Sequence, residues 1–349
     1  MSEASTLALE DYDYELPADR IAQHPPEQRD GARLMVLERS SSQIAHQHVR
    51  ELPELLREGD LLVRNATAVL PARLRGRKAS GGVAEALLLG PSAGRPDHYR
   101  ALLRISGRLR KDLELDFSRN DCRREARVVE IGPEGVVELA FAPGASPYDV
   151  GEMPLPPYIR REAAEVDDLE RYQTTYARSP GSIAAPTAGL HLSERLSADL
   201  EAQGIHCADL VLHVGEGTFR PLREENLARG SLPAERFEVP EATAQAIQEA
   251  KAKHRRVVAV GTTSARALET RGAEDGVVRP GKSETELFLR PGSHFRVVDA
   301  LLTNFHLPRS SLLLLVAAFA GRERLLSAYR EAVSSGYRFY SYGDAMLLL

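Results

Sequence analysis

The 349-residue sequence contains no tryptophan and only two cysteines, Cys122 and Cys207. The cysteines lie far apart and form no Cys-x-x-Cys pair. Neither a thiolate zinc site nor a disulfide framework is suggested, and a reducing, cytoplasmic setting is the expectation. The missing tryptophan points to no function. Long apolar runs are missing as well: the best of them, Leu312 to Ala320, is half of the ~20 residues that a membrane-crossing helix needs. The stretch MSEASTLALEDYDYELPADR at the start is acidic and lacks the basic-then-apolar layout of a secretory signal. Neither export nor a membrane partner is expected.

What is present suits an enzyme-sized chain. With 43% hydrophobic and 27% charged residues there is material for a core and, by length, for about two domains. The net charge of −5 hides an asymmetry: Pro71 to Arg127 holds fourteen Lys or Arg against seven Asp or Glu, so the remainder carries −12. The cations fall in bursts, RLRGRK at 73–78, RALLRISGRLRK at 100–111 and RNDCRREAR at 119–127. A phosphate backbone attracts such a stripe, each neutralised phosphate releasing counterions. A solvated strand face in an arginine-rich loop region accounts for the charge equally well.

Periodicity separates two kinds of structure. Between Gly59 and Pro147 the short runs LLVRN, VAEALLLG, YRALLRI, ARVVEIG and GVVELAFA are punctuated by Gly and Pro, the spacing of a small barrel or sandwich. After Pro154 helical and strand-like segments alternate: DDLERYQTTYAR, SERLSADLEAQG, HCADLVLHV, PEATAQAIQEAKAKH, RRVVAVG, SARALETRG, TELFL and RERLLSAYREAVSSG. That alternation predicts an α/β layer, which the strand-like ARLMVLE near the start is expected to join. The expected fold is an α/β main domain with a mixed sheet (1–62 and 154–349), interrupted by an inserted, basic β-barrel-like domain (63–153).

Four polar islands interrupt the apolar segments. RRVVAVGTTSARALE (255–269) reads as strand, glycine turn and helix, with Thr262, Thr263 or Ser264 able to cap the helix and its free N–H groups able to receive a carboxylate or phosphate. As a lone pattern it is an ordinary βα turn. PGSIAAPTAGLHLS (180–193) brings small residues and His191 ahead of a helix capped by Ser193, and LHVGEGTFRP (212–221) ends an apolar strand with His213 and two glycines. In LLTNFHLPRSSLLLLVAAFAG (301–321) a polar cluster around His306 runs straight into an apolar block. One histidine in such a place reads as a packed core or turn residue. Three of them, each at the polar end of an apolar strand or beside a glycine-rich turn, favour a shared pocket.

These segments, with DYDYELPADRIAQHPPEQRDGARLMVL (11–37), GDLLVRNATAVLPARLRGRK (59–78), PLPPYIRR (154–161), ERYQTTYA (170–177) and YRFYSYGDAML (337–347), stand in an order that resembles the S-adenosylmethionine:tRNA ribosyltransferase-isomerase family of queuosine biosynthesis nearly end to end. The resemblance implies an α/β domain interrupted by a β-barrel. It also implies transfer of the ribosyl part of S-adenosylmethionine to the aminomethyl-deazaguanine at the wobble position of a tRNA, giving epoxyqueuosine with release of adenine and methionine. S-adenosylmethionine is then a substrate, with no cofactor and no metal. The partner is a tRNA with a GUN anticodon, and the expected state is a monomer.

That chemistry asks for a base beside the acidic C5′ hydrogens of the sulfonium, a proton donor for adenine, and a pocket for a cation next to a carboxylate. His191, His213 and His306 are the candidates for proton transfer, and Asp344 is a candidate carboxylate that reads equally as a turn residue. Thr262, Thr263 and Ser264 are the preferred contacts for the methionine carboxylate or ribose hydroxyls. Thr187, Gly189, Gly215, Gly217, Thr218, Asn304 and Arg309 are further substrate-binding candidates. Arg73, Arg75, Arg77, Lys78, Arg108, Arg110 and Lys111 are assigned to the tRNA. The apolar run after Arg309 is expected to be a buried helix that holds the loop TNFHLPRSS still.

The chain departs from the family pattern in two places. Asn65-Ala66-Thr67-Ala68-Val69 stands where the family usually reads N-D-T-R-V, and GSLPAE stands where it carries H-x-M-H-x-E, with Gly230 and Pro233 replacing the histidines and Glu235 retained. An alternative therefore accompanies the main reading: a diverged member that binds S-adenosylmethionine or RNA without this transfer, or that uses another acceptor.

Overall fold

The computed structural model describes residues 8–41, 43–161, 165, 167–215, 217, 222 and 224–349. Its largest element is a nine-stranded mixed sheet in the spatial order Gly281–Leu287, Ser231–Val239, His206–Leu212, Leu61–Asn65, Val257–Val260, Ala300–Asn304, Ala345–Leu348, Arg33–Leu37, Ile44–His48. The four strands from His206–Leu212 to Ala300–Asn304 run parallel to one another. Val257–Val260 and Ala300–Asn304 are buried at every position, as strands covered on both faces must be, which explains their unbroken apolar sequence. In Leu61–Asn65 the side chains alternate between two cores: Leu61 and Val63 join the helices Glu241–Ala252, Thr262–Arg271, Ser311–Ala320 and Arg322–Ser334, whereas Leu62 joins Leu196 and Leu200 of Glu194–Ala202.

The helix Ser311–Ala320 buries Leu313, Leu314, Leu315, Val316, Ala317, Phe319 and Ala320. Its start is capped by Ser310, whose hydroxyl accepts the Leu313 N–H at 3.2 Å. Among the described residues no helix is long and apolar enough to cross a membrane.

After Asn65 the chain forms the short strand Thr67–Val69, paired in parallel with Ser179–Ser182. It then enters a barrel of six strands, in the order Arg73–Lys78, Val83–Ser92, Arg95–Ile105, Val136–Phe141, Cys122–Ile131, Glu114–Arg119. The last strand closes on the first through Gly76 opposite Phe117, Arg77 opposite Asp116 and Lys78 opposite Leu115. Gly76 is required there, because a Cβ would lie 2.0 Å from the Asp116 carbonyl oxygen. Gly151–Glu152 pairs with the remaining part of the first strand as the chain returns. Leu74, Ala86, Leu88, Leu103, Phe117, Val128 and Leu139 fill the interior, so the alternate residues, many of them arginine, face outward. The mixed sheet and the closed barrel agree with the expected fold class.

Some elements differ from the periodicity. Residues 167–178 read as a helix, but only Asp168–Arg171 is helical. The Arg29 guanidinium takes the carbonyls of Glu170 and Gln173 at 2.9 Å each, acceptors that a continuing helix would have used. Arg73–Lys78, Glu114–Arg119 and Ser231–Val239 are strands whose outward charges mask the alternation. The strand expected at TELFL begins earlier, at Gly281–Leu287.

Candidate active site

The carboxyl ends of the four parallel strands lie along one edge of the main sheet, where ligands bind in open α/β folds. Three of the four polar islands reach this edge directly as strand continuations, and the fourth, Thr187–His191, packs onto it.

Asn65 joins three of these segments. Its Oδ1 accepts the N–H groups of Leu212 (2.9 Å) and Thr67 (3.2 Å), and its Nδ2 donates to the Leu212 carbonyl (2.9 Å) and to Thr263 Oγ1 (3.3 Å). The side chain thus continues the ladder beyond the strand and fixes Thr67, Leu212 and Thr263 relative to one another. Beyond Asn65, Thr67 Oγ1 lies 2.9 Å from His213 Nδ1 and 2.8 Å from Ser182 Oγ, and Ser182 Oγ accepts the Val214 N–H at 2.8 Å. With Nδ1–H donating to Thr67 and Thr67 donating to Ser182, the Nε2 lone pair of His213 is available. Nε2 has no hydrogen-bond partner among the described residues. His213 is half-buried, and burial, followed by the nearby Arg236 cation, pulls its pKa below the ordinary imidazole value, so the ring is neutral at pH 7. Gly181 lies flat against the ring: a Cβ there would come within 2.6 Å of it.

The segment after His213 is held from below by a buried ion pair. Glu235 Oε1 accepts the Gly215 N–H at 3.0 Å and Oε2 receives Arg266 Nη1, while Arg266 Nε donates to the Leu287 carbonyl at 3.0 Å. Gly217 packs near Pro233, 3.3 Å from where its Cβ would be. Thr218 lies outside the described residues.

The other two histidines differ from His213. His306 is buried, with Nε2 2.8 Å from Thr303 Oγ1, its N–H on Tyr329 Oη at 3.1 Å and its carbonyl accepting from Tyr14 Oη. Burial pushes its pKa down to about 3. His191 Nε2 accepts from Asn304 Nδ2 at 3.1 Å, and its pKa is lowered to about 4, first by burial and then by the Arg338 cation. Asn304 also donates to the Tyr340 carbonyl at 3.2 Å and accepts from Thr187 Oγ1 at 2.8 Å, tying the Thr187–His191 turn to the strand end. Gly189 in that turn faces the Tyr176 hydroxyl so closely that a Cβ would lie 2.0 Å from it.

Several expectations change. None of Thr262, Thr263 and Ser264 caps its helix: the cap residue is Gly261, with φ +87° and no side-chain bond. Ser264 Oγ instead turns back to the Val260 carbonyl at 2.9 Å, and Thr263 receives Asn65. None of the first-turn N–H groups donates to a side chain among the described residues. Asp344 is a turn residue, both carboxylate oxygens being taken by backbone N–H groups, of Arg33 at 3.0 Å and Arg338 at 2.7 Å. Arg309 is exposed, pairs with Asp13, and donates its N–H to the Tyr12 carbonyl at 3.0 Å.

In the barrel Arg73 and Arg75 pair with Glu85 (3.8 Å) and Glu152 (3.2 Å), while Arg77, Arg108, Arg110 and Lys111 are exposed and Lys78 is half-buried. Of the departures, Ala66 is fully buried with its carbonyl receiving the N–H groups of Arg178 and Ser179, and Ala68 is half-buried in the strand Thr67–Val69. Gly230 adopts φ +67°. Asn65, Thr67, Ser182 and Arg266 were not singled out as site residues from sequence; the polar Asn65 closing the apolar run LLV was the available signal.

The family model described as queuosine biosynthesis protein matches residues 9–348. The chain is 49% identical to the S-adenosylmethionine:tRNA ribosyltransferase-isomerase of Moorella thermoacetica, over 98% of this chain and 100% of the relative, and 49% identical to the protein of that name from Thermus thermophilus, over 98% and 99%. Among solved structures it is similar to an S-adenosylmethionine tRNA ribosyltransferase from Thermotoga maritima, with TM-score 0.56 and 36% identity, covering 97% of this chain and 100% of that one. With this coverage and identity, and with the mixed sheet and closed barrel described above, the chain belongs to the queuosine biosynthesis protein family.

Proposed function

We propose that the chain is an S-adenosylmethionine:tRNA ribosyltransferase-isomerase, which moves the ribosyl group of S-adenosylmethionine onto the aminomethyl-deazaguanine at a tRNA wobble position and isomerises it to epoxyqueuosine, releasing adenine and methionine. The observation that carries this reading is the hydrogen-bonded cluster of Asn65, Thr67, Ser182 and His213 at the carboxyl edge of the sheet, in a chain of this family. On this reading S-adenosylmethionine is a consumed donor, the acceptor is a tRNA with a GUN anticodon, and the enzyme works as a cytoplasmic monomer.

The three histidines take different roles. His213 is the base: it is neutral, its Nδ1–H is oriented by Thr67, and its Nε2 is available for a proton from C5′ of the sulfonium sugar. His191 and His306, with pKa values of about 4 and 3, are protonated too rarely at neutral pH to donate efficiently. They serve as hydrogen-bonding scaffold, His191 on Asn304 and His306 on Thr303. The start of the helix Thr262–Arg271, with its uncapped N–H groups beside Thr263, suits the methionine carboxylate. Gly215 and Gly217 provide close backbone approach to the donor, and Thr187 and Asn304 border it.

Incubating the protein with S-adenosylmethionine and a tRNA carrying the aminomethyl-deazaguanine tests the reading, with adenine release and nucleoside mass followed together. Adenine accompanied by the epoxyqueuosine mass is the expected result. Folded protein that binds the donor but releases no adenine overturns the reading in favour of the diverged member.

A further inference from the structure

The barrel divides the cationic stripe between its two rims. Arg73–Lys78 starts at the rim beside the main sheet and ends at the opposite one; five steps of about 3.3 Å separate Arg73 from Lys78 by about 17 Å. At the near rim and along the flank the guanidinium groups are engaged. Arg75 pairs with Glu152, Arg95 with Glu138 (3.2 Å) and Arg124 with Asp149 (2.6 Å), and Arg119 donates to the Gly151 carbonyl.

The distal rim is built differently. There the turn at 79–82 meets the loop at 106–113: Lys78 Nζ donates to the Ser106 carbonyl at 2.5 Å, and the Ser106 N–H to the Val83 carbonyl at 3.0 Å. Arg108, Arg110 and Lys111 project from the loop, exposed and without a carboxylate partner among the described residues, and Arg77 bonds only the Gly81 carbonyl at 3.1 Å. Three acids stand beside them: Asp112 and Glu114 face Arg127, which is 3.8 Å from Asp112 and opposite Glu114 in the strand register, and Asp116, opposite Arg77, pairs with Arg123 at 2.7 Å. Cations therefore outnumber acids at this rim, and the loop cations Arg108, Arg110 and Lys111 have no carboxylate partner among the described residues.

We propose that this distal rim is a docking surface for the phosphate backbone of a duplex RNA stem, separate from the edge where the chemistry takes place. The inference rests on the functional reading above: with the reacting base at the carboxyl edge of the sheet, from which the chain enters the barrel, the adjoining stem extends along the barrel and its phosphates meet the far rim. Unpaired, exposed Arg and Lys on a loop suit phosphates, which need charge and no shaped pocket.

The test uses the full-length chain with R108E and K111E combined, compared with wild type and with R95A at the near rim. Wild type is expected to bind tRNA with a steep salt dependence. R108E/K111E loses at least tenfold in affinity at low salt, with the slope of log K against log salt shallower by about 1.4 to 1.8, from ~0.7–0.9 for each of two lost phosphate contacts. Its KM for S-adenosylmethionine and its adenine release at saturating tRNA stay at wild-type values, and R95A binds like wild type. R77A, on a strand and not on the loop, shifts the slope in the same direction by about one contact and guards against a loop that has merely collapsed. An RNA reduced to the loop with a truncated stem binds wild type and R108E/K111E alike. If wild type releases adenine while R108E/K111E keeps wild-type affinity and slope, or loses as much on the truncated RNA, the rim is not a stem contact. Wild type that neither binds tRNA nor releases adenine refutes the functional reading itself.

Discussion

The carboxyl edge of the main sheet and the distal rim of the barrel handle polar groups in opposite ways. At the edge a few side chains, Asn65, Thr67, Ser182, His191 and Asn304, are withdrawn from water and bonded to one another or to backbone, and the local charges of Glu235 and Arg266 cancel in a buried pair. At the rim Arg108, Arg110 and Lys111 stand in solvent without a carboxylate partner among the described residues. The difference separates positioning from attraction. Chemistry needs groups held within tenths of an ångström, whereas a polyanion is gathered by field and counterion release and tolerates mobile side chains.

Substitutions at the edge should break this contrast most severely. His213→Ala is expected to lower kcat by ~10²–10⁴ with tRNA affinity unchanged, read from single-turnover adenine release. A parallel loss in binding would show that the imidazole is a contact and not a base. In wild type the acidic limb of kcat/KM should lie below the ordinary imidazole range, because burial depresses the His213 pKa.

Glu235→Ala leaves Arg266 buried without its carboxylate and frees the Gly215 N–H, so a stability loss of about 3–5 kcal/mol is expected in denaturant titration. Leu314→Ala, in the helix behind the His306 loop, should cost about 2–5 kcal/mol through the cavity it leaves. Activity per folded molecule should also fall if the helix fixes that loop.

A smaller effect is graded with pH. His191 and His306 are neutral in the fold, with pKa values of about 4 and 3, and titrate near 6.5 when unfolded. Between those values the unfolded chain binds more protons, so each contributes stability that is complete above pH 6.5 and declines by about 1.4 kcal/mol per unit as pH falls. His306→Asn should flatten the decline of Tm below pH 6.5. An unchanged slope would mean that His306 is protonated in the fold. At the other extreme, Arg95→Ala breaks only an exposed pair at the near rim, and a change within about 1 kcal/mol is expected in the same denaturant titration.

Legibility in the sequence followed the physical origin of each feature. Strands buried on both faces, such as VVAV at 257–260, and the apolar helix at 311–320 could be read because burial dictates composition locally. Ser231–Val239 and Arg73–Lys78 escaped notice because one face of each is charged and their partners lie far along the chain. The polar islands were visible as motifs, but their ranking was not. His213, His191 and His306 look alike in sequence, and only packing makes two of them buried scaffold and leaves one half-exposed with an available nitrogen.

Composition and pattern by themselves determined the class of fold, the absence of a long apolar span, the family, and the segments that matter, since each of these depends on local hydrophobicity or on order along the chain. Tertiary structure alone decided which carboxylates neutralise which arginines, that Asp344 holds a turn, and that Asn65 ties the strand ends together. Those outcomes depend on desolvation and on distances of about 3 Å between residues as many as 311 positions apart, which no local pattern records.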